Sequence, residues 1–421
     1  MFKMMQFCSD LFRVNRSLMG EGNLATLAYV KKIVPELEIS EVPTGFTAFD
    51  WEVPDQWEVA EAFIEDIKGN RLIDFSDSNL HVVGYSTAIE EEMDFKKLQM
   101  HLFTHPQLSD AIPYLTSYYQ KTWGFCLSQN QLSKFDSKGT YKVVIKSKHF
   151  AGALHSGEIF LKGKTKKEIL LSTYICHPSL ANNELSGPAV LTALSAWLSK
   201  IKDRHYSYRI TFHSETLGAL AYITGQEQHL KENVIAAWNF TCMGGPDEIS
   251  ILPTQYGNSL ADKVTWKALK SLGLNPKVKN FLTRGSDERQ FSSPRLGIPM
   301  VSIMKSPYGE YKEYHTSLDN LDFISEESMT EALEVMKQII VVLEEEKFPR
   351  QIFIGEAHLN KYGLYESLDG STPEFKSRDI MNVMQYCDGT NSSFEISQHT
   401  KIDIELVESI LKILISKNLV E

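Results

Sequence analysis

Four short polar clusters interrupt the hydrophobic text of this 421-residue chain. They are His177 with Asn182, Asn183 and Glu184; His213 with Glu215; RGSDERQF from Arg284 to Phe291; and YHTSLDN from Tyr314 to Asn320. Histidine, carboxylate and histidine drawn from separate loops suit zinc. Neutral imidazole and carboxylate oxygen are its ligands, and a catalytic zinc keeps one position open for water. A further carboxylate can take that water's proton, and Glu215 is the candidate. Each residue also has a plainer reading. A single histidine after a strand is usually a satisfied loop residue. His213, on the same side of its strand as Glu215, can simply face a helix. Asp287, Glu288 and Arg289 have the usual reading of a solvated charge run, although the flanking Gly285, Ser286 and Phe291 favour a structured loop. A carboxylate at a strand end among apolar neighbours is costly without a partner, which singles out Glu215. His177 and His315, at matching places beside carboxylates, are more telling together than apart.

The elements that must carry these clusters alternate from Lys167 onward. EILLSTYIC, YSYRITFHSE, NVIAAWNFTCM and IPMVSIMK read as buried strands. GPAVLTALSAWLSKI, LGALAYITGQ, SLADKVTWKALKSLG and SEESMTEALEVMKQIIVVLEEE read as helices, the last opening on Ser325, Glu326 and Glu327. Such alternation predicts a mostly parallel α/β sheet covered by helices, with its ligand crevice at the carboxyl ends of the strands. Residues 1–44, with two helices jointed at SLMGEGN, belong with 151–348 in this discontinuous α/β domain. Residues 45–150, rich in aromatics and turn residues, read as an inserted β-rich domain. Its stretch SDAIPYLTSYYQKTWGFCLS is mostly core, with some rings free to wall a cleft. Residues 349–421 read as a linker and a winged-helix-like domain, in which Val407, Ile410, Leu411 and Leu414 form one buried face.

Net charge is -11, which asks for neither nucleic acid nor an anionic membrane. No apolar run approaches the roughly 20 residues of a membrane span. The five scattered cysteines form no CxxC pair, so a reducing cytoplasm is expected. From Ser377 onward four basic side chains face seven acidic ones, and Glu405 and Glu408 lie on the helix that would enter a DNA groove. Duplex binding leans on Lys and Arg. A packing or dimerisation role is therefore expected of this segment, leaving a homo-oligomer open, and no nucleic-acid partner is expected.

The phrases STYICHPSLANNELSGP, GSDERQF, YGEYKEYHTSLD, DAIPYLTSYYQKTWGFCLS and GEAHLNKYGLY make the chain similar to a bacterial aminopeptidase-like family often found beside polysaccharide-biosynthesis genes. That resemblance covers nearly the whole chain. It implies an aminopeptidase-like α/β domain, an inserted β-rich domain and a C-terminal winged helix. More distantly, the α/β part resembles the two-zinc aminopeptidases. Carried over by position, His177 and His315 match two histidine ligands and Glu215 the general base. The bridging aspartate falls on Asn183, the ligating glutamate on Thr216, and a later aspartate near Thr241. A neutral amide or hydroxyl replaces a carboxylate poorly on a dication. The expected centre is therefore one zinc on His177, Glu184 and His315, with two ions still open. Asn183, His213 and Asp287 are reserve ligands or supports, and Arg289 and Tyr314 contact substrate, Arg289 as a fork for carboxylate or phosphate. The expected function is zinc-dependent hydrolysis of an amide in a small peptide or acylamino substrate. The rival is an altered peptidase scaffold that binds or regulates in surface-polysaccharide biosynthesis.

Overall fold

Ile169 and Leu171 join one apolar cluster and Leu170 another, because successive strand residues point to opposite faces. Both faces are covered, so Ile169, Leu170 and Leu171 are all fully buried. This strand lies inside an eight-stranded sheet in a computed structural model that describes residues 2–345, 348–365 and 375–421. Its strands are β1 (Glu38–Pro43), β2 (Ala153–Leu161), β3 (Glu168–Tyr174), β4 (Ser207–His213), β5 (Val234–Phe240), β6 (Ser250–Leu252), β7 (Lys277–Val278) and β8 (Met300–Met304). They lie in the order β1-β2-β4-β3-β5-β8-β6-β7. The central four, β4, β3, β5 and β8, are parallel. Toward the edges β1–β2, β2–β4 and β8–β6 are antiparallel. The sheet is thus mixed: its centre is parallel where the polar clusters lie, the flanking strands join it antiparallel, and β6 and β7 at one edge pair parallel. The strands of two or three residues that build one edge are too short to show a period.

The covering helices are α1 (Met4–Leu11), α2 (Glu21–Ile33), α3 (Ser186–Leu198), α4 (Leu217–Ile223), α5 (Leu260–Ser271) and α6 (Glu326–Glu344). The Ser325 side chain caps α6, accepting from Ser328 N at 3.0 Å. The α6 residues Met336, Ile339 and Ile340 join Val190, Leu194 and Trp238 in the main core.

Between β1 and β2 the chain forms a second sheet. Arg71–Asp74, Gln56–Asp66, Thr140–Phe150 and Ile89–Asp94 pair antiparallel in that order. They enclose a core that includes Trp57, Ile64, Val143 and Ile145. One loop returns to the α/β body. Pro113 bridges Thr316, Ser317 N donates to Ile112 O at 2.8 Å, and Tyr114 N donates to His315 O at 2.8 Å.

The C-terminal helices are α7 (Ser377–Gln385), α8 (Ser393–Thr400) and α9 (Ile404–Ser416). Val407, Ile410, Leu411 and Leu414 are the buried face of α9, as their spacing predicts. The segment expected as a linker contributes Leu359 and Leu364 to the same core, while its residues 366–374 lie outside the described ones. This unit docks on the α/β body through ion pairs of Lys267 with Glu408, Lys270 with Glu405 and Lys167 with Glu395. Among the described residues no helix is long and apolar enough to cross a membrane.

Candidate functional site

After β3 the chain turns through Cys176, His177 and Ser179 into a wide π-turn, Ala181–Leu185, that runs on into α3. The orphan amides at the start of that turn meet a carboxylate. Asp319 accepts from Asn182 N at 2.6 Å and Asn183 N at 2.9 Å. The Asn182 side chain joins strand ends, accepting from Gly244 N and Gly245 N at 2.9 Å and donating to Ser306 O at 3.1 Å. Gly187 permits the close approach of α3, since a Cβ there would stand 2.4 Å from Phe240 O.

His177 is held by a buried ion pair. Its Nδ1 lies 2.8 Å from Glu184 Oε2 and its carbonyl accepts from Arg16 Nε at 3.1 Å. Arg16 Nε also lies 3.9 Å from Glu184 Oε1, with both side chains fully buried. Burial opposes the charge on His177, but Cys176 and Glu184 together outweigh it and hold the imidazole well above its usual pKa. The other ring nitrogen, Nε2, has no hydrogen bond among the described residues and faces Glu215 Oε2 at 3.8 Å.

Glu215 leaves the end of β4 ahead of an unusual turn. Thr216 has φ 62° and ψ -76°, and Leu217 N donates to Glu215 O at 2.8 Å, a γ-turn of the strained hand. Two groups fix it. Thr216 N donates to Asp287 Oδ1 at 2.8 Å, and Arg289 Nη2 donates to Thr216 Oγ1 at 3.2 Å. Burial raises the pKa of Glu215, opposed by His177 and Arg289. Asp287 is raised well above the usual range by burial and by Glu215. Glu288 is a structural anchor: Oε1 accepts from Gly285 N, Ser286 N and Tyr308 OH, each at 2.9 Å, and Oε2 from Asn239 and Ser302 at 3.0 Å. The run Asp287, Glu288, Arg289 is therefore built into the fold, with Arg289 its exposed member.

His315 closes the cleft. Its ring centroid is 5.5 Å from that of His177, and its Nε2 lies 3.0 Å from Asn183 Oδ1. Tyr314 stacks on it at 4.0 Å. Tyr114, from the inserted domain, packs on both histidines at 5.1 and 5.2 Å, so a ring from the aromatic-rich stretch does wall the cleft. Burial, helped by His177, depresses His315 to about 3, which keeps this ring neutral.

His177, Asn183, Glu184, Glu215, Asp287, Arg289, Tyr314 and His315 thus gather at one end of the parallel strands. His213 lies behind them, fully buried, with Nε2 2.9 Å from Ser172 Oγ and Nδ1 3.5 Å from Asp287 Oδ2. The three residues expected as one ligand set do not meet as a set. Glu184 engages His177 from the Nδ1 side, whereas His315 neighbours Asn183. Cys176, His177 and Glu184 are the one group of three among the described residues whose ligand atoms lie within 4.8 Å of one another, and Arg16 already supplies its positive charge. Asn183 and Thr241 stand in a neutral network instead. Tyr174 OH lies 3.1 Å from Asn183 Nδ2 and 2.6 Å from Thr241 Oγ1. Sequence reasoning missed Arg16, which sits in an ordinary loop with no local signal, and Asp319, whose role follows from the turn it caps.

Backbone strain marks the same place. Ser179, Thr216, Cys242 and His315 are four of the eight non-glycine residues with positive φ among the described residues. Such outliers concentrate where a fold holds functional groups in position.

Comparison with known proteins gives the family. A model described as "Domain of unknown function (DUF4910)" matches residues 5–346, and one described as "winged helix-turn-helix" matches residues 347–421. A Clostridium acetobutylicum protein named "Putative polysaccharide biosynthesis protein with aminopeptidase-like domain" is 37% identical over 403 residues, covering 95% of this chain and 91% of its own. A crystal structure of a "putative peptidase" from Clostridium acetobutylicum superposes with TM-score 0.83 at 33% identity, over 99% of this chain and 95% of the other. The zinc aminopeptidase BSAP from Bacillus subtilis gives TM-score 0.54 at 13% identity, over 81% and 94%. The peptidase M28 precursor from Shewanella amazonensis SB2B gives 0.58 at 14%, over 81% and 92%. The α/β body has the zinc-aminopeptidase fold, and the chain belongs to the DUF4910 family, with a winged helix-turn-helix following the family domain.

Proposed function

We propose that this cleft hydrolyses an amide bond, in a peptide or an acylamino compound, with one zinc ion as cofactor. The observation that carries the reading is His177, locked at Nδ1 by Glu184 with Nε2 turned toward Glu215. A carboxylate behind a histidine fixes the ring and leaves the opposite nitrogen to a metal. His177 Nε2 and the neutral His315 would hold the ion, with Glu184 orienting and not ligating. The donor set fits one dication and not two, since Asn183, Thr216 and Thr241 bring no carboxylate. Binding must displace a proton from His177, so occupancy rises with pH. The ion supplies Lewis acidity for the scissile carbonyl. Glu215, 3.8 Å from Nε2, takes a proton from the attacking water and returns it to the leaving amine. Arg289, exposed beside Glu215, offers a fork to a substrate carboxylate, and Tyr314 lines the same mouth.

The neutral network around Asn183 supports a second reading, a binding or regulatory scaffold serving polysaccharide biosynthesis. One pair of measurements separates the two. Elemental analysis of the purified chain should find about one zinc, lost in His177→Ala, and aminoacyl or acylamino chromogenic amides should be cleaved, with a loss of about 10²–10⁴-fold in Glu215→Gln. A zinc-free protein that cleaves none of these amides would overturn the first reading and favour the second.

A further inference from the structure

A two-residue hairpin in the inserted domain places an aromatic ring where the backbone asks for glycine. Thr47 pairs with Glu52 and Ala48 with Trp51, leaving Phe49 and Asp50 as the loop. Phe49 has φ 57°, and a positive φ at the first loop position belongs to the turn type that takes Gly there. The ring gains little burial in return, since Phe49 is 50% and Trp51 42% exposed. A bulky residue held in this region is a true outlier, and its persistence argues for a use outside the fold.

Both residues line a cleft of about 800 Å³, within the size range of small-molecule sites, and the Trp51 ring rests 6.3 Å from that of Tyr119. Leu220, Ile223 and Leu296 form apolar parts of its lining, and Gln228, Gln290 and Ser293 are among its polar groups. Its two cations, Lys231 and Arg295, are matched by two anions, Asp50 and Glu227. A balanced lining gives no preference to a phosphate or a carboxylate. Aromatic faces beside amides and hydroxyls suit a neutral ring with C–H bonds on one face and hydroxyls at its edge. The negative face of an aromatic ring attracts such C–H bonds, and amides both donate to and accept from hydroxyls.

We propose that this cleft binds a neutral sugar ring, sandwiched against Phe49 and Trp51. The cleft borders the catalytic candidates, because α4 begins two residues after Glu215 and Gln290 follows Arg289. Sugar binding nevertheless stands on the cleft alone and does not depend on hydrolysis or zinc.

Saturation-transfer NMR on the full chain tests it, with N,N′-diacetylchitobiose and maltotriose as probes and the dipeptide Leu-Phe as the apolar alternative. At least one sugar should receive saturation at millimolar concentration, and Trp51→Ala should weaken binding by roughly fivefold to tenfold, the range expected for one stacked ring. Phe49→Gly should weaken it too, while its Tm stays level or rises because glycine accepts the backbone without strain. Three results would overturn the proposal: transfer to neither sugar, transfer to Leu-Phe alone, or sugar binding unchanged in Trp51→Ala. A marked fall in Tm for Phe49→Gly would overturn it as well, since the ring would then be structural.

Discussion

His177 and Glu184 are joined at 2.8 Å through Nδ1, so the carboxylate seven residues on determines which imidazole nitrogen reaches the cleft. The same carboxylate is the counter-ion of Arg16, which is completely buried. Removing one member of such a pair strands a charge in the interior. Glu184→Gln should therefore destabilise the protein by about 3–5 kcal/mol in urea unfolding. The double variant Arg16→Met with Glu184→Gln should recover much of that loss, because it removes both charges.

Thr216 stores strain beside the candidate base. A β-branched residue at φ 62° is disfavoured by about 1–3 kcal/mol, and glycine would be freed from it. Thr216→Gly should keep or raise Tm. If Glu215 works as a base, the same change should lower kcat by about 10²-fold, because the turn that aims the carboxylate loosens. Thermal melts and steady-state kinetics on one preparation check both halves.

Asp319 gives a pH signature. Burial, partly offset by amide hydrogen bonds, raises its carboxyl from 3.8 to about 6. A raised acid binds its proton more tightly in the folded state than in the unfolded one. Its contribution to stability is thus full below about pH 4 and is lost as pH rises through 6, a change of about 3 kcal/mol at 1.36 kcal/mol per pH unit. The difference in unfolding free energy between wild type and Asp319→Asn, followed from pH 4 to 7, should show that slope.

The winged-helix unit presents acid to the α/β body. Glu405 and Glu408 on α9 meet Lys270 and Lys267 on α5. The exposed Lys270–Glu405 pair contributes little to stability and Lys267–Glu408 is half-buried, but reversing both glutamates to lysine sets like charges face to face. The variant Glu405→Lys with Glu408→Lys should loosen this contact. Small-angle scattering should then report a larger radius of gyration at low salt, with the helix content unchanged by circular dichroism.

The parallel centre of the sheet and its helices were legible because strand-like apolar runs alternate with helical segments from Lys167 onward. The edge beyond β8 was not, since β6 and β7 are three and two residues long. At the site, strand-end position brought His177, Glu215 and His315 to notice. Which side of His177 meets Glu184 depends on the π-turn at Ala181–Leu185, and that geometry has no sequence period. Arg16 was invisible for a related reason: its partners lie far along the chain, so nothing near it announces a buried charge.

The bond from Tyr114 N to His315 O ties together residues about two hundred positions apart, and contacts of that span form late in folding because loop closure must come first. During synthesis the inserted domain emerges long before the YHTSLD loop. The wall carrying Tyr114 therefore exists before the histidine it supports. A nascent chain stays without a complete cleft until nearly all of the α/β body has left the ribosome, which confines any hydrolytic capacity to the finished molecule.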